Sequence, residues 1–239
     1  MVVYPRPNET KHCRFGFSRQ WALLGTIFNN IGQKVLLRDY SVDNFDQSQF
    51  ILLLHRENVQ LVLIEFDSFT IKRSENCKHA NEIIRLVRTY CPYIKIVAYG
   101  HYCCITARDI PSADSTAHTD ELNNILSAAH ASLPKQFQRI SFESCDDLPY
   151  IDRILLYEQV EFFQRHRRST LVQTSYGCEN TCTFCHRQSY RKKFIFHSDN
   201  YVFSEFEMLC SQEFANVWIT DDNFAFNLPR AKRILRACA

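Results

Sequence analysis

An α/β fold is what the sequence predicts, with an open, doubly wound parallel sheet over residues 1–131 and the first β-α units of a second parallel sheet from Ser169. Three observations carry that expectation. Up to about residue 130, short apolar runs rich in β-branched residues alternate with amphipathic stretches at helical spacing. A repeated β-then-α order joined by right-handed crossovers builds parallel sheets. Leu61–Phe66 is a nearly continuous apolar run, as in a strand buried on both faces. Of the 239 residues, 46% are hydrophobic and 23% charged, the balance of a packed globular chain and not of a disordered one.

Element by element, Val2–Tyr4 reads as a strand. Ser18–Asn30 reads as a helix, with Trp21, Leu24, Ile27, Phe28 and Ile31 on one face and Gly32 as its stop. Lys34–Asp39 is a strand, and Asp46–Glu57 a helix bearing Phe50, Leu53 and Leu54. After the buried strand at Leu61–Phe66 comes a helix over Glu75–Tyr90, marked by Ile83, Ile84, Leu86 and Val87. The strand Lys95–Tyr99 ends at Gly100. A short strand Ala113–Thr116 and a helix Asp120–Ala131 close the first region. A connector over 132–168 is broken by Pro134, Pro149 and the acidic Glu143, Asp146 and Asp147. It carries a helix over Ile151–Arg165, whose basic tail suits a helix C-terminus. From Ser169 the pattern resumes: strand Ser169–Thr174, a loop over Ser175–Cys185, a helix with its core over Ser204–Cys210, strand Asn216–Thr220, a turn over Asp221–Phe224 and a helix over Leu228–Ala237.

Several function classes are disfavoured by composition. A net charge of +2 offers no strong field for nucleic acid or an anionic membrane. No apolar run approaches a membrane span and no secretory pattern opens the chain; a reducing, cytoplasmic location is expected from the odd cysteine count in a large apolar domain. The five glycines form neither G-x-G-x-x-G nor G-x-x-x-x-G-K. Eleven cysteines is an odd number and the core is large, so a disulfide framework is not expected. Cys13, Cys77, Cys91, Cys103, Cys104, Cys145, Cys210 and Cys238 share no spacing and read as small buried hydrophobes.

Cys178, Cys182 and Cys185 differ. They stand as C-x-x-x-C-x-x-C in the loop directly after a strand, where parallel α/β folds place reactive groups. Soft thiolates at such spacing hold an iron–sulfur cluster or zinc. Three ligands on a four-iron cube leave one iron open, as catalysis requires. A Cys₃His zinc site completed by His186 is an alternative, although side chains adjacent in sequence rarely converge on one ion. A chance grouping in a cysteine-rich chain is the other.

The run from Thr174 to Cys185, with Gly177 before the first cysteine, that spacing and Phe184 before the third, resembles the cluster loop of the radical S-adenosylmethionine (SAM) enzymes. Tyr190-Arg191-Lys192 and the stretch from Val217 to Phe224 resemble the branch of that superfamily with a cobalamin-binding-type N-terminal domain. The resemblance implies a Rossmann-like, cobalamin-binding-like sheet over 1–131, a connector over 132–168 and the N-terminal part of a radical SAM partial barrel over 169–239. It implies a 4Fe–4S cluster on Cys178, Cys182 and Cys185. It places Phe184, Asp221, Asp222 and Asn223 at the SAM site, the last three where a carboxylate or amide accepts hydrogen bonds from the SAM ammonium. The competing reading of that triplet is an Asx-type turn between strand and helix. No catalytic side chain is singled out. The implied function is reductive cleavage of SAM to a 5′-deoxyadenosyl radical, for methylation, cyclisation or rearrangement of a small-molecule or peptide substrate. The implied partner is an electron donor such as flavodoxin or ferredoxin, with no nucleic acid and no membrane.

Three departures qualify these expectations. Tyr176 and Glu179 stand where many relatives have arginine and proline. The cobalamin fingerprint D-x-H-x-x-G is absent, with His79, His101 and His118 in no such frame, and Tyr99-Gly100-His101 stands where paired glycines are usual. Weak cobalamin binding without a histidine ligand is therefore the expectation, in a pocket near Tyr40, residues 66–70 and residues 100–102. Ending at Ala239, the chain reads as truncated after the second barrel unit, so a non-catalytic or accessory cluster-binding protein is the alternative function.

Overall fold

The computed structural model describes residues 1–5, 18–40, 43–66, 73–106, 109–118, 122–133, 140–156, 169–185, 194–212, 214 and 216–238. The chain forms two compact units, Met1–Cys13 with Gln20–Ser141, and Arg14–Arg19 with Phe142–Ala239.

In the first unit β1 (Val2–Tyr4), β2 (Leu37–Asp39), β3 (Leu61–Glu65), β4 (Lys95–Tyr99) and β5 (Ser115–Thr116) form one parallel sheet in the order β2-β1-β3-β4-β5. Strand order reverses at β1, so the switch point lies between β1 and β3, the place where doubly wound sheets bind ligands. The helices are α1 (Arg19–Asn30), α2 (Gln47–Arg56), α3 (Arg73–Tyr90), α4 (His101–Thr106) and α5 (Leu122–Ser132). Every residue of β3 is buried, as expected of a run that is apolar at every position but Glu65. Its Val62 and Ile64 pack with Leu54 of α2, Ile83, Ile84 and Val87 of α3, and Ile96 and Ala98 of β4. Asp46 caps α2 by accepting from the Gln49 amide at 2.8 Å. Trp21 is fully buried in α1 and donates from Nε1 to the Val2 carbonyl at 3.1 Å, which ties helix to strand.

In the second unit β6 (Ser169–Val172) and β9 (Asn216–Ile219) pair in parallel, and β7 (Ser175–Tyr176) and β8 (Ile195–Phe196) pair antiparallel. Two helices follow β8 and β9: α6 (Asp199–Ser211), capped by the Ser198 side chain, and α7 (Leu228–Ala237), capped by Asn227. Asp199 of α6 meets Arg233 of α7 at 2.6 Å.

Several expectations shift. The strand expected over Lys34–Asp39 starts at Leu37. The strand expected from Ala113 starts at Ser115, because the Asp114 carboxylate accepts from the Ile96 amide at 2.8 Å and takes up the ladder position. Residues 151–156 are bends and turns, not the start of a helix, and the rest of that expected helix lies outside the described residues. Also outside them are Cys13, His186 and the segment Tyr190–Lys192. The helix α4 and the strand β8 are too short for periodicity to signal, and α6 contains the expected helix core Ser204–Cys210. Cys91 and Cys103 are buried as expected, but Cys210 and Cys238 are exposed. Both sit at helix C-terminal ends, where an amphipathic helix leaves its core face. Among the described residues no helix is long and apolar enough to cross a membrane.

Candidate iron–sulfur and cofactor site

The register of β6 and β9 decides what faces the cysteine loop. Ser169 pairs with Asn216 and Val172 with Ile219, a constant offset of 47 residues. Thr220 extends the pairing by donating its amide to the Val172 carbonyl at 2.8 Å. The same offset sets Thr174 beside Asp221, so the segment that enters the cysteine loop and the Asp-Asp-Asn turn emerge side by side from neighbouring strand ends.

Hydrogen bonds fill in this arrangement. Asp221 Oδ1 accepts from the Thr174 amide, and its Oδ2 accepts from the Thr174 and Ser175 hydroxyls, each at 2.6 Å. Asp222 Oδ2 accepts from the Gly177 amide at 2.8 Å. Asn223 directs its Nδ2 to Cys178 Sγ at 3.7 Å. The triplet thus meets three consecutive stations of the loop entrance. Gly177 sits at φ +80°, a conformation that favours glycine, and releases the loop from β7.

The opposite side of the entrance is held by β8 and Arg230. The His197 amide donates to the Thr174 carbonyl at 3.0 Å. Arg230, 2% exposed, donates from Nη1 to Thr174 Oγ1 at 3.0 Å and from Nη2 to the Thr174 and His197 carbonyls at 2.9 Å each. Burial lowers the pKa of Arg230, and the carboxylates of Asp221 and Asp199 oppose that shift. His197 is fully buried, stacked on Tyr201 with ring centroids 4.0 Å apart. Its ring nitrogens face Asp146 Oδ1 at 3.3 Å and the Tyr176 hydroxyl at 3.4 Å. Burial, reinforced by the Arg19 charge, lowers its pKa to about 4, so the imidazole is neutral at pH 7. Arg19, which belongs to this unit, donates to the Tyr176 hydroxyl at 2.7 Å. None of Thr174, His197 and Arg230 was singled out from the sequence. Arg230 lies four residues before Ile234, on the face of α7 that also buries Ala231, but an arginine ordinarily reads as solvent-exposed.

The loop itself carries the three thiols, none in a disulfide, with Cys178 and Cys185 half-buried and Cys182 exposed. The Cys185 amide donates to the Cys182 carbonyl at 3.0 Å, which folds that stretch into a turn. Phe184 is 86% exposed. In their chemistry the donors fit an iron–sulfur cluster: three thiols, with an amide N–H directed at the first. Among the described residues, however, no three His, Cys, Asp or Glu side chains stand close enough together to hold a metal ion. A metal or cluster bound there would have to draw the sulfurs together, as metal sites that couple binding to folding commonly do.

A second candidate region lies at the C-terminal ends of β2, β3 and β4. Tyr40 packs edge-on against Phe45 at 4.9 Å, and the His79 ring lies 4.5 Å from Phe45. Phe66 stacks on Tyr102 at 6.2 Å. Gly100, at φ +108°, leaves no room for a side chain, since a Cβ there would stand 2.6 Å from the Phe66 carbonyl oxygen. Residues 67–70, part of the expected pocket, lie outside the described residues.

The fold is that of cobalamin-dependent radical SAM enzymes. No family model and no curated protein matches the sequence, but solved structures do. One is TsrM, a radical SAM methyltransferase from Kitasatospora setae, with cobalamin and a [4Fe-4S] cluster bound. It matches with a TM-score of 0.70 at 15% identity, over 98% of this chain and 50% of that one. TsrM with tryptophan substrate and the SAM analogue aza-SAM bound matches with a TM-score of 0.67 at 16% identity, over 98% and 50%. The cobalamin-dependent radical SAM enzyme OxsB with aqua-cobalamin bound matches with a TM-score of 0.70 at 12% identity, over 99% and 36%. The chain spans half or less of the length of these structures. At such identities the likeness is one of fold.

Proposed function

We propose that this chain is the cobalamin-type and cluster-binding part of a radical SAM protein, with Cys178, Cys182 and Cys185 holding a 4Fe–4S cluster and SAM bound beside it. The observation that carries this reading is the placement of the C-x-x-x-C-x-x-C loop at the end of β6, tied by Asp221 and Asp222 to the end of β9. The likeness to structures that contain cobalamin, a cluster and a SAM analogue supports it, since it extends over nearly all of the chain. When bound, the cluster would supply the electron that splits the carbon–sulfur bond of SAM, yielding a 5′-deoxyadenosyl radical for methylation, cyclisation or rearrangement.

The residues of the chain bind, orient and exclude water. Asp221, Arg230 and Thr174 fix the entrance of the loop whose three thiols would hold the cluster. Phe184, exposed on the loop, is an apolar surface for the cofactor to cover. Cobalamin would sit at the ends of β2, β3 and β4, near Tyr40, Phe66 and the partly exposed Tyr102, without a histidine from a D-x-H-x-x-G frame. An electron donor such as flavodoxin or ferredoxin and a small-molecule or peptide substrate complete the proposal.

The test is anaerobic reconstitution with iron and sulfide, followed by incubation with SAM and titanium(III) citrate. The protein is expected to turn brown, to hold close to one four-iron cluster and to form 5′-deoxyadenosine. Alanine at Cys178, Cys182 and Cys185 should abolish the colour, and alanine at Cys103 should not. Stoichiometric zinc with no iron or sulfide would refute the cluster. A full cluster with no 5′-deoxyadenosine would favour an accessory cluster-binding role.

A further inference from the structure

We infer that Asn223 tunes the cluster by an amide N–H···S hydrogen bond to Cys178, an inference that rests on the cluster reading above. Asn223 lies where β9 runs into one turn of 3₁₀ helix over Phe224–Phe226. It occupies the N-cap position of that turn, yet its side chain makes no capping bond. The amide is instead directed at Cys178 Sγ, with Nδ2 at 3.7 Å, a hydrogen-bonding distance for sulfur. The two preceding carboxylates are occupied differently, Asp221 by Thr174 and Ser175 and Asp222 by the Gly177 amide. The triplet therefore divides its work: two acceptors hold backbone and hydroxyl donors of the loop, and one donor faces a sulfur.

That order makes electrostatic sense. A coordinating thiolate carries negative charge, so a third carboxylate at position 223 would repel it, whereas an N–H is attracted. Hydrogen bonds to cluster sulfurs are among the determinants of reduction potential. A donor on Cys178 withdraws charge from the thiolate, and this stabilises the reduced cluster more than the oxidised one. The couple is [4Fe–4S]²⁺ plus one electron giving [4Fe–4S]⁺. In the titration the electron comes from titanium(III) citrate, which becomes titanium(IV), and no bond breaks. Asn223 would thus raise the midpoint potential and make the cluster easier to reduce. The resemblance implies a ligand to the SAM ammonium for this position, with an Asx-type turn as the alternative. The two roles separate if SAM is left out.

The experiment is an EPR-monitored redox titration of the reconstituted protein without SAM, comparing wild type with Asn223→Ala, Asn223→Asp and Asn223→Gln. Asn223→Ala is expected to lower the reduction equilibrium constant at least threefold, which at 59 mV per tenfold for one electron is about 28 mV. Asn223→Asp should lower it further, and Asn223→Gln, which keeps an N–H, should recover part of the loss. Wild-type protein carrying ¹⁵N-asparagine should also show a nitrogen hyperfine coupling to the reduced cluster, a readout that requires no variant to load. Unchanged midpoints in Ala and Asp variants with normal iron content, or no such coupling in wild type, would overturn the role of Asn223 and leave the cluster reading standing. A wild type that takes up no iron would overturn both.

Discussion

Replacing Asp221 tests the entrance to the cysteine loop most directly. Its carboxylate accepts three hydrogen bonds, from the Thr174 amide, the Thr174 hydroxyl and the Ser175 hydroxyl, and Thr174 and Ser175 are fully buried. Hydrogen bonds to a charged group contribute about 1.5–3 kcal/mol each, and a buried donor left unpaired costs about 1–3 kcal/mol. The hydroxyls can rotate toward other acceptors, but the Thr174 amide cannot. Buried Arg230 also loses a nearby opposite charge, which adds to the cost. Because these contributions overlap, Asp221→Ala is expected to destabilise the second unit by about 3–5 kcal/mol. Asp221→Asn keeps one acceptor oxygen for the amide and should cost about half as much. The chain holds two tryptophans, Trp21 in the first unit and Trp218 in the second. Labelling with 5-fluorotryptophan therefore gives one ¹⁹F signal per unit through a urea titration. A loss below about 1 kcal/mol at Trp218, less than one such hydrogen bond, or an equal loss at Trp21, would refute the reasoning.

Two further outcomes follow from buried groups elsewhere. His197 has a folded pKa of about 4 against an ordinary value near 6.5, so the unfolded chain binds more protons between those values. Its contribution, at most about 3 kcal/mol, is full above pH 6.5 and is lost as pH falls toward 4. The Trp218 signal should report that slope; His197→Phe, which keeps the stack on Tyr201, should flatten it, and an unchanged slope would count against the assignment. Gly100→Ala should destabilise the first unit by about 2–4 kcal/mol, through a left-handed φ and a clash with the Phe66 backbone. A loss under about 1 kcal/mol at the Trp21 signal would show that the Phe66 carbonyl gives way easily, against the cost expected for such a clash.

The parallel sheet was legible because its signal is repeated and local. Leu61–Phe66 is apolar at every position but one, and α2 and α3 present clean helical stripes. Short elements gave no such signal: two-residue β8 has no period to detect, and α4 follows Gly100 with too few residues to show a stripe. The three cysteines were legible through spacing, which is sequence-local by nature. What surrounds them was not. Thr174 and Arg230 are 56 positions apart, and only the 47-residue register of β6 on β9 and the start of α7 just after its cap Asn227 bring them together. The Asp-Asp-Asn triplet admitted two readings, cofactor ligand or turn. Its partners lie about 45 residues upstream, so no local rule separates those readings.

The order of the entrance to the loop between Gly177 and Cys185 comes from residues that belong to neighbouring elements. That has a consequence for metal binding. If the thiols must be gathered by the ion, the free energy that holds the loop entrance counts toward affinity, because binding and folding of such a site are one equilibrium. The 3–5 kcal/mol assigned to Asp221, if lost wholly from loop closure, corresponds at 1.4 kcal/mol per tenfold to a factor of about 10² to about 4 × 10³ in cluster retention. Asp221→Ala at temperatures where the unit stays folded should then surrender iron to a chelator far faster than wild type, although no ligand has been touched. Asn223→Ala should not, because its bond is to a sulfur and not to the backbone of the entrance. The pair of variants thereby separates holding the loop from tuning what the loop holds.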